Sequence, residues 1–145
     1  MVKSSLNSSL FTADLKRNGP GSYDFGYIDP AKYTGSINYV PVISSSGFWA
    51  FNAKGGFGVG GKAISKTSIG YTIVDTGSTL MYLPPLVVRA YYAKVSGAYN
   101  APNVGGYIFP CSATLPSFSL VINGANYTVV RIQSSSITLD SILIY

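Results

Sequence analysis

The sequence predicts an all-β lobe of packed, mostly antiparallel sheets with one or two short helices. The chain is punctuated by 16 Gly and 8 Pro, and the segments between them are short. Several of those segments alternate apolar or aromatic residues with polar ones, the period of a half-buried strand. Only the stretch from Pro84 to about Gly97 carries apolar residues at helical spacing. With 145 residues, 47% of them hydrophobic, there is enough chain for one domain with a real core. No internal repeat is visible.

Met1 to Ser9 is polar and serine-rich and reads as a linker, so residues 10–145 form the domain. Leu10 to Leu15 and Tyr23 to Ile28 read as strands around the turn Asn18-Gly19-Pro20-Gly21, with Tyr23, Phe25 and Tyr27 on one face. Ser36 to Ile43 alternates Ile37, Tyr39 and Val42, and Phe48-Trp49-Ala50-Phe51 has the look of a buried strand. The glycines of Phe57 to Ile64 superficially suggest a phosphate cradle. They lack a following Lys-Ser/Thr and a following helix, so a hairpin is the better reading. Ile69 to Val74 is a strand. Pro84-Pro85 opens a helix over Leu86 to about Ser96, with Leu86, Val87, Ala90, Tyr91 and Val95 inward, Arg89 and Lys94 outward and Gly97 at the C-cap. Tyr107 to Pro110, Phe118 to Val121 and Tyr127 to Ile132 complete the strands, with Gly124 turning the last hairpin.

Composition closes off several chemistries. There is no His, and all five acidic residues are Asp. Ser-His-Asp and Cys-His catalysis are therefore excluded, along with the commonest metal ligand. Cys111 is the single cysteine and is expected to be a free thiol, with no disulfide and no metal cluster. No cofactor is implied. The net charge of +5 comes from residues scattered between Lys3 and Arg131, without a basic stripe, so nucleic acid is not an expected partner. No apolar run approaches the ~20 residues of a membrane span, and Met1 to Leu6 has no apolar leader core. Asn7-Ser8-Ser9 and Asn126-Tyr127-Thr128 fit glycan acceptors, which matter only in the secretory pathway.

The chemistry-bearing stretch is Ile73-Val74-Asp75-Thr76-Gly77-Ser78-Thr79-Leu80, continuing through Met81-Tyr82-Leu83-Pro84. Apolar residues on both sides predict a rigid turn with Asp75 partly buried. Gly77 is expected at the bend, leaving main-chain N–H groups to face the carboxylate, and Thr76, Ser78 and Thr79 supply hydroxyls. Asp-Thr-Gly-Ser is also an ordinary turn, and it is the apolar frame that favours a site.

Val74-Asp75-Thr76-Gly77-Ser78-Thr79-Leu80 resembles the active-site loop of pepsin-like aspartic endopeptidases. Leu10-Phe11-Thr12-Ala13-Asp14-Leu15, Tyr23 to Asp29, Tyr33-Thr34-Gly35-Ser36-Ile37, Gly47-Phe48-Trp49 and Gly105 to Pro116 are similar to the secreted fungal branch. The likeness runs in order from about Ser4 to Val121. It implies a C-terminal lobe of that fold, with residues 1–9 as the interlobe linker and an extracellular product. It implies peptide-bond hydrolysis at acidic pH, favouring apolar side chains beside the scissile bond. Asp75 would be one of two catalytic carboxylates, Thr76 would brace the two loops, Gly77 would offer main-chain bonds, and Ser78 with Thr79 would steady the carboxylate. Tyr82 is the weaker candidate, for lining the substrate cleft.

Departures from the family pattern are part of the same expectation. The second D-T-G loop and its flap are absent, so the dyad needs an N-terminal lobe or a second copy of this chain, and one chain alone should not cleave peptides. Ile132-Gln133-Ser134-Ser135-Ser136 follows Val130 almost directly, without the family's glycine-rich turn and second cysteine. Leu139 stands where the family has the glycine before Asp140, and the lobe reads as incomplete at its C-terminal end. An inactive lobe that binds a peptide or a partner is the alternative, as is an incomplete, aggregation-prone product.

Overall fold

The computed structural model describes residues 5–16, 19–65, 68–78 and 80–129. Two units are distinguished, residues 1–37 and residues 38–145. The first is built on a hairpin. β1 (Phe11–Asp14) pairs antiparallel with β2 (Ser22–Phe25), Thr12 opposite Asp24 and Phe11 opposite Phe25. Alternation puts the Phe11 and Phe25 rings together on one face, their centroids 5.9 Å apart. On the other face lies Asp24, the buried acid of this unit. A short 3₁₀ turn, Pro30–Lys32, is capped by the Asp29 side chain, which accepts from the Ala31 amide at 2.9 Å.

In the second unit the central sheet runs β10–β9–β4–β5, all antiparallel. Its strands are β4 (Phe57–Val59), β5 (Lys62–Ser65), β9 (Phe118–Ile122) and β10 (Ala125–Val129). Gly60 and Gly61 join β4 to β5 with φ of 62° and 76°, the left-handed pair that a two-residue hairpin loop demands. The glycine-rich stretch is thus a hairpin: Lys62 follows Gly61, but Ala63 comes next in place of Ser or Thr, and the segment is a strand and not a helix.

The one α-helix among the described residues, α1 (Pro85–Tyr92), lays Val87, Val88, Tyr91 and Tyr92 against Phe57, Val59 and Phe118 of that sheet. Each such buried side chain contributes on the order of 1.5–3 kcal/mol. The helix is shorter than its pattern suggests. After Tyr92 the amides of Lys94, Val95 and Ala98 turn back to carbonyls three residues earlier, so the chain tightens into turns before Gly97. Leu86, assigned to the inner face on spacing, is 61% exposed, and Val88 takes the inward position at 2%.

β3 (Ala50–Ala53) and β6 (Gly70–Ile73) form a two-stranded sheet, as do β7 (Tyr99–Ala101) and β8 (Gly106–Ile108). Tyr107 of β8 stacks on Tyr92 of the helix. The alternating segment from Ser36 to Ile43 does not become a strand; only Ile43 bridges to Ala50. Pro41 has no amide to give a ladder. Side chains take over instead: Asn38 donates to the Ile122 carbonyl at 2.8 Å, and Asn123 donates to Asn38 Oδ1 and to the Tyr39 carbonyl, both at 3.1 Å. Phe48 and Trp49 are exposed before the strand that begins at Ala50, so that strand starts two residues later than expected. Residues 130–145, including Ile132 to Ser136, Leu139 and Asp140, lie outside the described residues, as do Met1 to Ser4, Arg17, Asn18 and Thr79.

Candidate functional site

The Asp75 loop hangs between two anchors. Upstream, β6 is paired with β3 from Gly70 opposite Ala53 to Ile73 opposite Ala50, and the Val74 amide continues the pairing by donating to the Trp49 carbonyl at 2.9 Å. Downstream, Leu83 is buried in the main core. The carbonyl of Pro84 then accepts from the amides of Val87 and Val88 at the start of the helix. The apolar residues flanking the loop thus anchor it on the downstream side by burial and on the upstream side by backbone pairing.

Between the anchors the carboxylate is held by its own neighbours. The Gly77 amide donates to Asp75 Oδ1 at 2.8 Å, and the Ser78 hydroxyl donates to Oδ2 at 2.5 Å. Both oxygens are therefore occupied, in an Asx-type turn closed within four residues. These bonds favour the ionised form: the Ser78 hydroxyl first, then the Gly77 amide, hold the Asp75 carboxyl below its ordinary value against a small opposing effect of burial. Gly77 is favoured here by space and not by a left-handed backbone, since a side chain would push the Asp75 carboxylate by a few tenths of an ångström. A Cβ on it would lie 3.3 Å from Asp75 Oδ1, tighter than ordinary contact.

Two expectations are corrected. Asp75 is exposed, not partly buried. Ile73 and Val74, expected at the end of a buried strand, are 40% and 60% exposed. β6 pairs with β3 in a two-stranded sheet, and both side chains stay open to solvent at its end. Thr76 is exposed and its hydroxyl does not reach the Asp75 carboxylate, which among the described residues leaves Ser78 as the hydroxyl that does. Tyr82 is exposed beyond the loop. One interaction escaped sequence reasoning. Ser46, in the bend before β3, shares a short hydrogen bond with the hydroxyl of Tyr71 on β6, tying the bend to the strand that carries the loop. Nothing in the local pattern around Ser46 signals it.

The other described acids are committed elsewhere. Asp14 pairs with Lys16 at 2.9 Å, Asp24 with Lys32 at 2.5 Å, and Asp29 caps a turn. Among the described acids Asp75 is the one with both oxygens held by its own loop and no cation paired with it. Among the described residues no group of three or more potential ligands could hold a metal ion. Cys111 is exposed and carries no disulfide.

Comparison with known proteins agrees with this loop-and-lobe arrangement. The family described as eukaryotic aspartyl protease matches residues 1–141. Penicillopepsin-3 from Penicillium janthinellum is 50% identical over 144 residues, covering 93% of this chain and 36% of its own length. Endothiapepsin from Cryphonectria parasitica is 51% identical over 128 residues, covering 88% and 30%. Aspergillopepsin-1 from Aspergillus fumigatus is 53% identical over 128 residues, covering 88% and 32%. The chain thus spans 30–36% of the length of these relatives. With almost every residue matched and the D-T-G-S loop folded around its carboxylate, the chain belongs to the eukaryotic aspartyl protease family.

Proposed function

We propose that residues 10–145 act as the C-terminal-type lobe of an aspartic endopeptidase and that Asp75 is one of its two catalytic carboxylates. The observation that carries this reading is the clamp on Asp75, whose two oxygens are fixed by Gly77 and Ser78 while the side chain stays open to solvent. A carboxylate held in one orientation and kept ionised suits a general base acting on a bound water. A second carboxyl, protonated, would polarise the scissile carbonyl, because two adjacent carboxylates cannot both ionise. Among the described residues Asp14, Asp24 and Asp29 have local partners of their own; in this reading the second acid comes from a complementary lobe. In this reading Thr76, which is exposed, would brace the two loops together, and Tyr82 is a candidate to line the cleft for a polypeptide substrate. An extracellular product is part of the proposal, by resemblance to the secreted fungal branch. Among the described residues no helix is long and apolar enough to cross a membrane.

The test is an assay of purified chain on a peptide substrate at about pH 3 to 6, where a dyad holds one proton. The expected result is no turnover from the chain alone, turnover once a complementary lobe is supplied, and its loss in Asp75→Asn. Turnover of the chain alone rising with the square of its concentration would replace the complementary lobe with a second copy. Peptide binding without turnover, even with the lobe supplied, would favour an inactive binding module.

A further inference from the structure

We infer that Asn126 is an acceptor for an N-linked oligosaccharide, carried on the solvent face of strand β10. The inference rests on the extracellular reading above, since the transfer takes place in the secretory pathway. Asn126-Tyr127-Thr128 has the required spacing, with a residue other than proline between amide and hydroxyl. The fold puts both functional ends on the same side. In a strand, residues two apart share a face. Asn126 stands opposite Val121 and Thr128 opposite Ser119, on the face away from Tyr127, which is exposed as well. Asn126 and Thr128 are both exposed, so the amide and the hydroxyl are presented to solvent together.

The neighbouring amides show why Asn126 is the available one. The side chains of Asn38 and Asn123 are spent on hydrogen bonds that hold the segment before β3 against the β9–β10 turn. Neither begins an acceptor triplet. The Asn126 side chain makes no such bond among the described residues.

β10 also ends its sheet in the order β10–β9–β4–β5 among the described residues. A bulky hydrophilic group on that strand screens the sheet against addition of a foreign strand. In the reaction the amide nitrogen of Asn126 bonds to the anomeric carbon of a lipid-diphosphate-linked oligosaccharide. The bond from that carbon to the diphosphate oxygen breaks, the amide gives up one proton, and the lipid diphosphate departs. No oxidant or reductant is needed.

The test expresses the full chain behind a heterologous secretory leader in a eukaryotic host, in an Asn7→Gln background that removes the other acceptor triplet. The leader-cleaved chain should carry a glycosidase-sensitive mass, mapped to Asn126 by its conversion to Asp on enzymatic deglycosylation. That mass should be lost in Asn126→Gln and in Thr128→Ala and retained in Thr128→Ser. Glycan transfer is read in membrane fractions as well as in medium, so a variant that folds poorly still reports. A leader-cleaved chain with unmodified Asn126 overturns the assignment while leaving the extracellular reading intact. Because the leader is supplied, a natural product recovered only inside cells would overturn that reading and not the acceptor chemistry measured here.

Discussion

The Lys32 ammonium sits 2.5 Å from a carboxylate oxygen of Asp24, a residue only 8% exposed on the polar face of the β1–β2 hairpin. Lys32 also donates to Ser22, while the hydroxyls of Thr12 and Tyr27 donate to Asp24 at 3.3 Å each. Lys32 thereby ties the 3₁₀ turn to β2, and Asp24 carries the link on to Thr12 of β1.

This cluster should govern how the hairpin unit behaves in acid. The Lys32 bond, ahead of the smaller contributions, holds Asp24 below its ordinary value of 3.8. A carboxyl whose folded value is depressed gives stability that is complete above the unfolded value and lost as pH falls through the folded one. Asp24→Asn should lower the melting temperature by several degrees at neutral pH. The difference from the parent should shrink to nothing below the folded value. Melting curves across the acid range check this, and a difference that persists at the lowest pH would rule out the ionic origin.

Ser78→Ala should release one oxygen of Asp75 and raise its titration midpoint towards the ordinary carboxylate value without altering the fold. Carboxyl carbon chemical shifts followed through an acid titration give the midpoint directly. An unchanged midpoint would mean that the Ser78 hydroxyl does not hold the carboxylate in solution.

The helix separates inner from outer positions sharply enough to test by charge. Leu86→Asp should leave stability within about 0.5 kcal/mol, as surface changes do. Val88→Asp and Tyr91→Asp should abolish folding by burying an unpaired charge. Tyr91→Phe, which removes only the bond from the Tyr91 hydroxyl to the Pro116 carbonyl, should cost about 1 kcal/mol. Denaturant unfolding distinguishes the four.

These helix positions also show what the sequence could and could not disclose. Most strands, the Gly60-Gly61 hairpin and the Pro85 helix start were legible because each depends on residues close in sequence; the Ser36 to Ile43 reading failed and β7 was missed. The Leu86 assignment failed because spacing fixes a stripe only to within about one residue, and both positions are apolar. Asp75 and its Ser78 and Gly77 partners were legible for the same local reason. The exposure of Ile73, Val74 and Trp49 was not, since it depends on what distant parts of the chain pack over the β3–β6 sheet. Nor was the Ser46–Tyr71 bond, which joins residues that only the fold brings together.

Cys111 should react with a thiol reagent in the native protein as fast as a small-molecule thiol does, because its side chain is exposed and unbridged. Reaction only after denaturant is added would place it under a cover that the described residues do not provide.

The hydrogen bonds on Asp75 close within four residues, and that locality separates two kinds of mutational damage. A cavity cut into the helix–sheet core leaves Gly77 and Ser78 where they are, so the surviving folded molecules keep the carboxylate aimed. A change at Gly77 or Ser78 turns the carboxylate while the core stays as it was. Inheritance can therefore tune the durability of this lobe and the aim of its acid through different residues, one set read by heat and the other by titration.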